Sequence, residues 1–217
     1  ERNSLVGSEM CIRDSGKPIV NGSANSNNSY LFDSSILAKS INTNELKFSY
    51  DKFELKFNET TNEYWFDLGD NLILRPLKRD DYERDYLKLL EQLTVVGNIS
   101  KEQYESRFDA MRSSQNTYFT LVVVDQQRNK VAASTTLVFE QKFIRMASSR
   151  GRIEDVVVDK SYRGKKLSKI LLDVACLLSK KLGNYKLSLE CKDDLRPLYE
   201  QFEFSLEPNQ NYLCRRF

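Results

Sequence analysis

The stretch from Arg150 to Leu182, RGRIEDVVVDKSYRGKKLSKILLDVACLLSKKL, constrains the fold more than any other part of the chain. Val156, Val157 and Val158 form a continuous β-branched run, as in a strand covered on both faces. Leu167, Ile170, Leu171, Val174, Leu177 and Leu178 then recur at helical spacing. They predict a helix over 165–182 that stops at Gly183-Asn184, both good residues for a helix C-terminus. Between strand and helix lie Arg163, Gly164, Lys165 and Lys166, with Lys169 close behind. A helix N-terminus offers unpaired N–H groups and a partial positive charge. A glycine there lets the backbone approach a ligand closely. Together these features describe a phosphate site, or a solvated basic turn opening a surface helix. The loop is neither a P-loop nor a GxGxxG turn.

The remaining pattern supplies more strands and helices. NLILRPL reads as a short strand and DDYERDYLKLLEQL as a helix with Asp80 or Asp81 as its N-cap. SKEQYESRFDAMRSS opens with a capping box, Ser100 to Gln103. YFTLVVVD and KVAASTTLVFEQKF read as a hairpin turning at QQRN, and RIEDVVVD as the next strand. After the long helix come the strand YKLSLEC, a shorter helix DDLRPLYEQF and a terminal strand NYLCRRF. The expected order is β-α-α-β-β-β-α-β-α-β, a mixed α+β domain over 71–217. Residues 31–70 form an extension whose alternation in LKFSYDKFELKF suggests a strand or hairpin. Residues 1–30 are rich in Ser, Asn and Gly and are expected to be a disordered leader. Within it, LVGSEMCIRDS is unlike the rest and reads as a cloning or sequencing remnant.

Composition narrows the chemistry. The chain has 217 residues and no histidine, so a Ser-His-Asp triad, a Cys-His pair, a His base and a His-ligated metal are excluded. Cys11, Cys176, Cys191 and Cys214 form no CxxC pair, so neither a zinc site nor a disulfide framework is indicated, and a reduced cytosolic chain is expected. A formal net charge of +2 argues against a dedicated nucleic-acid binder. No apolar run approaches the roughly 20 residues needed to cross a bilayer. The first residues lack the apolar core of a signal peptide.

At this point the residues resemble a family. RGKKLSK, residues 163–169, looks like the pyrophosphate loop of the GNAT acetyltransferase superfamily. EQKFIR, RGRIEDVVV, YRGKKLSKILLD, LLSKKL, YKLSLEC and NYLCRRF follow, in order and spacing, the pattern of the eukaryotic glucosamine 6-phosphate N-acetyltransferases. The likeness covers 71–217 well and 31–70 loosely. It implies the GNAT fold, a mostly antiparallel twisted sheet flanked by helices. It also implies direct acetyl transfer from acetyl-CoA to the amine of glucosamine 6-phosphate, at the start of UDP-N-acetylglucosamine synthesis. The implied setting is the cytoplasm, or the periphery of endomembranes. No metal is implied.

Site residues carry over by position. Val156, Val157 and Val158 would contact the acetyl and pantetheine part of CoA. Arg163, Gly164, Lys165, Lys166, Leu167, Ser168 and Lys169 would hold its pyrophosphate. Tyr199 would sit near the sulfur and donate to the leaving thiolate. Glu190 would orient or deprotonate the amine. Glu154 and Asp155 would bind sugar hydroxyls or the amine, with Asp155 also in the catalytic set. Thr94, Lys142, Phe143, Ile144, Arg145, Tyr185, Lys186 and Arg216 match phosphosugar-binding positions. Family members are homodimers that share active sites through the C-terminal strand, so Arg216 would act in trans. Three positions depart from the family pattern. Ser168 replaces a Gly or Ala, Leu195 replaces an Asn that contacts CoA, and Glu203 replaces a Gly in a turn. Residue by residue, plainer readings stand. Glu154-Asp155 could be a solvated strand end and Tyr199 a half-buried helix residue. Arg215-Arg216 could be a basic tail. A GNAT enzyme for another amine, or a non-catalytic acetyl-CoA-binding relative, would also share the loop.

Overall fold

The alternating and β-branched segments assemble into one sheet of seven strands whose spatial order follows the chain. This computed structural model describes residues 29–216. The strands are β1 (Glu54–Asn58), β2 (Glu63–Gly69), β3 (Leu72–Pro76), β4 (Tyr118–Asp125), β5 (Lys130–Gln141), β6 (Ser149–Val158) and β7 (Asn184–Leu189). All neighbours are antiparallel except β6 and β7. Those two are joined by the long helix α5 (Leu167–Lys181), because a parallel return needs a crossover. The other helices are α1 (Ser35–Ser40), α2 (Tyr86–Leu90), α3 (Lys101–Ser113), a turn α4 (Ile144–Ala147) and α6 (Arg196–Glu200).

The apolar stripe of α5 faces the sheet as its spacing predicts. Leu171, Leu172 and Leu178 are fully buried, each stabilising by about 1.5–3 kcal/mol. Gly151 on β6 marks the tightest approach. A Cβ there would lie 2.7 Å from Ser179 Oγ and 2.8 Å from Leu187 Cδ1.

Four expectations are corrected. The helix expected over 80–93 breaks into a 3-10 turn, Arg79–Arg84, and the short α2, with Asp85 left-handed between them. Asp81 does not cap from outside. It is fully buried, pairs with Arg75 at 2.7 and 2.8 Å, and accepts from the Lys78 N–H at 2.7 Å. A buried guanidinium requires that paired carboxylate, and drawing Asp81 inward ends the regular helix. Second, the hairpin in the extension is β1–β2, while 46–53 form no strand. Lys47 and Phe48 N–H groups and the Tyr50 hydroxyl instead donate to the Asp173 carboxylate on α5, at 2.8, 3.1 and 2.9 Å. Third, the extension also contains a helix, α1, whose Ile36 and Leu37 enter the core. Fourth, 211–216 form no strand and are exposed. The expected leader lies outside the described residues except Ser29 and Tyr30. Tyr30 bridges Lys78 beside β3 and is buried.

Candidate active site

The parallel pairing of β6 and β7 runs from Ser149 with Asn184 to Ile153 with Leu189 and stops there. β6 continues to Val158 without β7 beside it, so the sheet splits open along Glu154–Val158. Backbone groups in such a split have no ladder partner on that side, and a ligand chain can take their hydrogen bonds. Val156 and Val158 are half-buried here and Val157 is buried.

On its other edge β6 pairs with β5, and the register shifts between Ser134 opposite Val157 and Thr136 opposite Glu154. That bulge puts Asp155 in the left-handed region, φ +53°, a conformation strained for any residue with a Cβ. Strict alternation along β6 therefore fails at Asp155. Bulges commonly re-aim a side chain beside a site. Asp155 keeps solvent access and makes no hydrogen bond among the described residues. Loss of surrounding water pushes its carboxyl pKa above the usual range.

Arg152 ties the acidic residues together. Its Nε donates to Glu154 and its Nη2 to Glu190, just past the end of β7. Glu154 and Glu190 thus meet at the mouth of the split, with Asp155 next along β6. Reading for motifs missed Arg152. Its signal was present: Arg152 and Glu154 are two apart on one strand and share a face. Tyr199 on α6 is 6% exposed with its hydroxyl unbonded among the described residues. Burial, then the nearby Cys191, raises its pKa.

The basic loop sits at the far end of the same split. Asp159 closes β6, a 3-10 turn Lys160–Tyr162 follows, and Gly164 has φ +85° with open space where a Cβ would lie. Lys166, also left-handed, precedes α5 and provides no side-chain cap. The first N–H groups of α5 therefore face outward without a protein side chain to accept them. Arg163, Lys165 and Lys166 are exposed around this point. Lys165 meets Asp70 at 2.8 Å, and Lys169 reaches Gln201 at 2.6 Å while lying 4.5 Å above the Phe48 ring. Leu167 is buried under the helix and Ser168 is partly exposed.

The remaining expected residues lie elsewhere. Arg145 stands 5.9 Å from the Tyr185 ring, Lys142 pairs with Glu140 at 2.6 Å, and Lys186 pairs with Glu207. Phe143 and Ile144 are exposed on the same turn, where Arg145, Met146 and Ala147 are all left-handed. Thr94 lies on an exposed loop after α2, and Arg216 is on the exposed tail. From Lys186 to Glu190 is about 13 Å along the strand at about 3.3 Å per residue. Lys142, Arg145 and Lys186 therefore stand apart from Glu190 within one chain, whereas the tail that carries Arg216 passes beside it, where Tyr212 interacts with Glu190.

Comparison with known proteins matches residues 77–204 to the Acetyltransferase (GNAT) family. A probable glucosamine 6-phosphate N-acetyltransferase of Drosophila melanogaster is 44% identical over 145 residues, 66% of this chain and 66% of that protein. The match thus spans about two thirds of that relative's length. Glucosamine 6-phosphate N-acetyltransferase 1 of Dictyostelium discoideum is 37% identical over 63% of this chain and 87% of that one. The crystal structure of glucosamine-6-phosphate N-acetyltransferase from Arabidopsis thaliana superposes with a TM-score of 0.63 at 31% identity, covering 68% of this chain and 99% of that chain.

Proposed function

Because this chain belongs to the GNAT acetyltransferase family, we propose that it transfers acetyl from acetyl-CoA to the amine of glucosamine 6-phosphate. The observation that carries the reading is the split between β6 and β7, with an uncapped helix N-terminus at one end and three carboxylates at the other. The extended pantetheine arm fits the split and adds main-chain hydrogen bonds to β6. The pyrophosphate fits the N–H groups from Gly164 to Lys169 and the cations around them. The acetyl thioester then arrives beside Asp155, Glu190 and Tyr199.

The chemistry needs no histidine. The neutral amine attacks the thioester carbonyl, the C–N bond forms, and the C–S bond breaks as the tetrahedral intermediate collapses. The amine proton passes to a carboxylate. Asp155 suits that role better than Glu190, because its carboxyl is unpaired with a raised pKa while Arg152 holds Glu190. Glu190 and Glu154 then orient the amine and ring hydroxyls. Tyr199 donates its hydroxyl proton to the departing CoA thiolate. Proximity and oxyanion stabilisation supply most of the rate.

The sugar phosphate calls for cations, and Arg binds it bidentately. The separation of Lys142, Arg145 and Lys186 from Glu190 supports a homodimer in which one chain's cations complete its partner's site. Val95, Phe143, Ile144, Met146, Tyr212 and Leu213 are largely exposed apolar residues on these segments. Apolar exposure on that scale fits a covered face better than a free one. The exposed tail 211–216 would pack against the partner there.

The test is thiol release from acetyl-CoA with glucosamine 6-phosphate, unphosphorylated glucosamine or no acceptor. Release that depends on the phosphosugar is expected. Release with another amine alone would move the assignment to a different acceptor, and acetyl-CoA binding without release would make the chain a non-catalytic relative.

A further inference from the structure

We propose that Tyr162 and Asp125 are positioning residues for the acyl donor, clamping the base of the Arg163–Lys166 loop so that its crest stays shaped for the donor's pyrophosphate. The proposal rests on the acetyl-CoA reading above and assigns it residues outside the loop.

The connection between β6 and α5 has two unlike halves. Its first half is tied down. Asp159 is buried and accepts from Lys130 Nζ at 2.7 Å, Gln92 Nε2 at 2.9 Å, and Ser161 N and Oγ at 2.8 and 2.6 Å. Gln92 returns the contact by accepting the Lys160 N–H at 3.0 Å. Tyr162 is 3% exposed and donates its hydroxyl to Asp125 Oδ2 at 2.6 Å. Asp125 Oδ1 accepts the Arg128 N–H at 2.9 Å, and the Arg128 guanidinium lies 5.6 Å from the Tyr162 ring centre. The second half, Arg163–Lys166, is exposed, with Gly164 and Lys166 left-handed.

Tyr162 is the hinge between these halves. Its carbonyl accepts the Lys165 N–H at 3.4 Å, and Gly164 follows two residues later. The anchor on the other side is Asp125, the last residue of β4, with Arg128 in the turn that follows, and no hydrogen bond or ion pair among the described residues joins either to Glu154, Asp155 or Glu190. A clamp placed there can act on the pyrophosphate end alone. Holding the crest in its binding shape beforehand lowers the ordering cost that the ligand must overcome. A buried hydroxyl–carboxylate bond is strong enough for this, since hydrogen bonds to charged groups exceed neutral ones.

The test is Tyr162→Phe in the full chain, which keeps the ring and removes one hydroxyl. Initial rates are compared for acetyl-CoA and for acetyl-pantetheine, which carries the thioester and arm but lacks the pyrophosphate. The Michaelis constant for acetyl-CoA should rise about three- to tenfold with kcat and the constant for the sugar unchanged. Rates with acetyl-pantetheine should match the wild type. Equal losses with both donors, or none with either, would overturn the clamp. If Tyr162→Phe does not fold, Asp125→Asn replaces it, with calorimetric CoA affinity as the readout. CoA binding by the wild type, weakened in the variant, supports the clamp even without turnover of the phosphosugar, which would overturn only the acceptor assignment. Absence of CoA binding by the wild type would overturn both readings.

Discussion

Asp155 and Glu190 are carboxylates at one mouth, but their surroundings assign them different work. Asp155 has lost water without gaining a partner, so its carboxyl titrates above the usual value near 4. Only the ionised form takes a proton, so activity should hold above that pKa and fall as pH drops through it. Asp155→Asn should lower kcat by about 10²–10⁴-fold, and its pH–rate profile should lack that limb. The limb from the sugar amine stays in both enzymes. A milder loss in Asp155→Asn than in Glu190→Gln would reverse the two roles. Glu203 makes a second point at this scale. It stands where the family pattern has Gly, and its φ is +67°. The turn after α6 is kept, with the Phe204 N–H reaching the Tyr199 carbonyl at 3.3 Å. The strain of a left-handed glutamate costs about 1–2 kcal/mol. Its exposed pairing with Lys47 offsets little of that. Glu203→Gly should therefore raise stability by about 1 kcal/mol in denaturant unfolding, and no gain would show that the turn is relaxed.

At the scale of elements, the split depends on β6, β7 and α5 packing closely below it. Gly151 is the point where all three meet, and a methyl group there collides with Ser179 and Leu187. Gly151→Ala should cost about 1–3 kcal/mol, read as a lower unfolding midpoint, with a loss of activity that tracks the unfolded fraction. Retained stability would mean that α5 can lift away from the sheet. The extension is the other element-scale feature. It runs antiparallel along α5, from Glu45 paired with Lys181 at 2.8 Å, past Asp173, to Phe48 under Lys169. Asp173→Ala leaves two backbone N–H groups and a hydroxyl without their acceptor. Each buried unsatisfied group costs about 1–3 kcal/mol. Amide hydrogen exchange over 46–52 should accelerate in that variant while β4 and β5 stay protected. Unchanged exchange would show that the extension is held by its apolar contacts alone.

For the whole molecule, the proposed homodimer leads to a complementation test. If Arg216 works in the partner's site, Arg216→Ala and Asp155→Asn chains are each impaired alone. Mixed, unfolded and refolded together, they form hybrid dimers in which one site of two holds both wild-type residues. An equal mixture should recover roughly a quarter of wild-type activity. No recovery would place Arg216 and Asp155 in the same chain's site. Among the described residues no helix is long and apolar enough to cross a membrane.

The local pattern determined what short-range physics controls. The apolar stripe of α5, the valine run of β6, the Ser100 capping box and the basic loop at a helix start are consequences of residue spacing, and each stands where the sequence places it. Tertiary structure alone decided the rest. The break before α2 comes from Asp81 being drawn into a buried pair with Arg75. The irregular 46–53 comes from Asp173, more than a hundred residues away, accepting its backbone donors. The bulge that re-aims Asp155 is a register shift between two strands, and no residue in either strand encodes it by itself. The division of Lys142, Arg145 and Lys186 from Glu190 is likewise a property of where the two ends of β7 lie. Such features depend on which distant groups meet, and that is set only when the chain closes around its core.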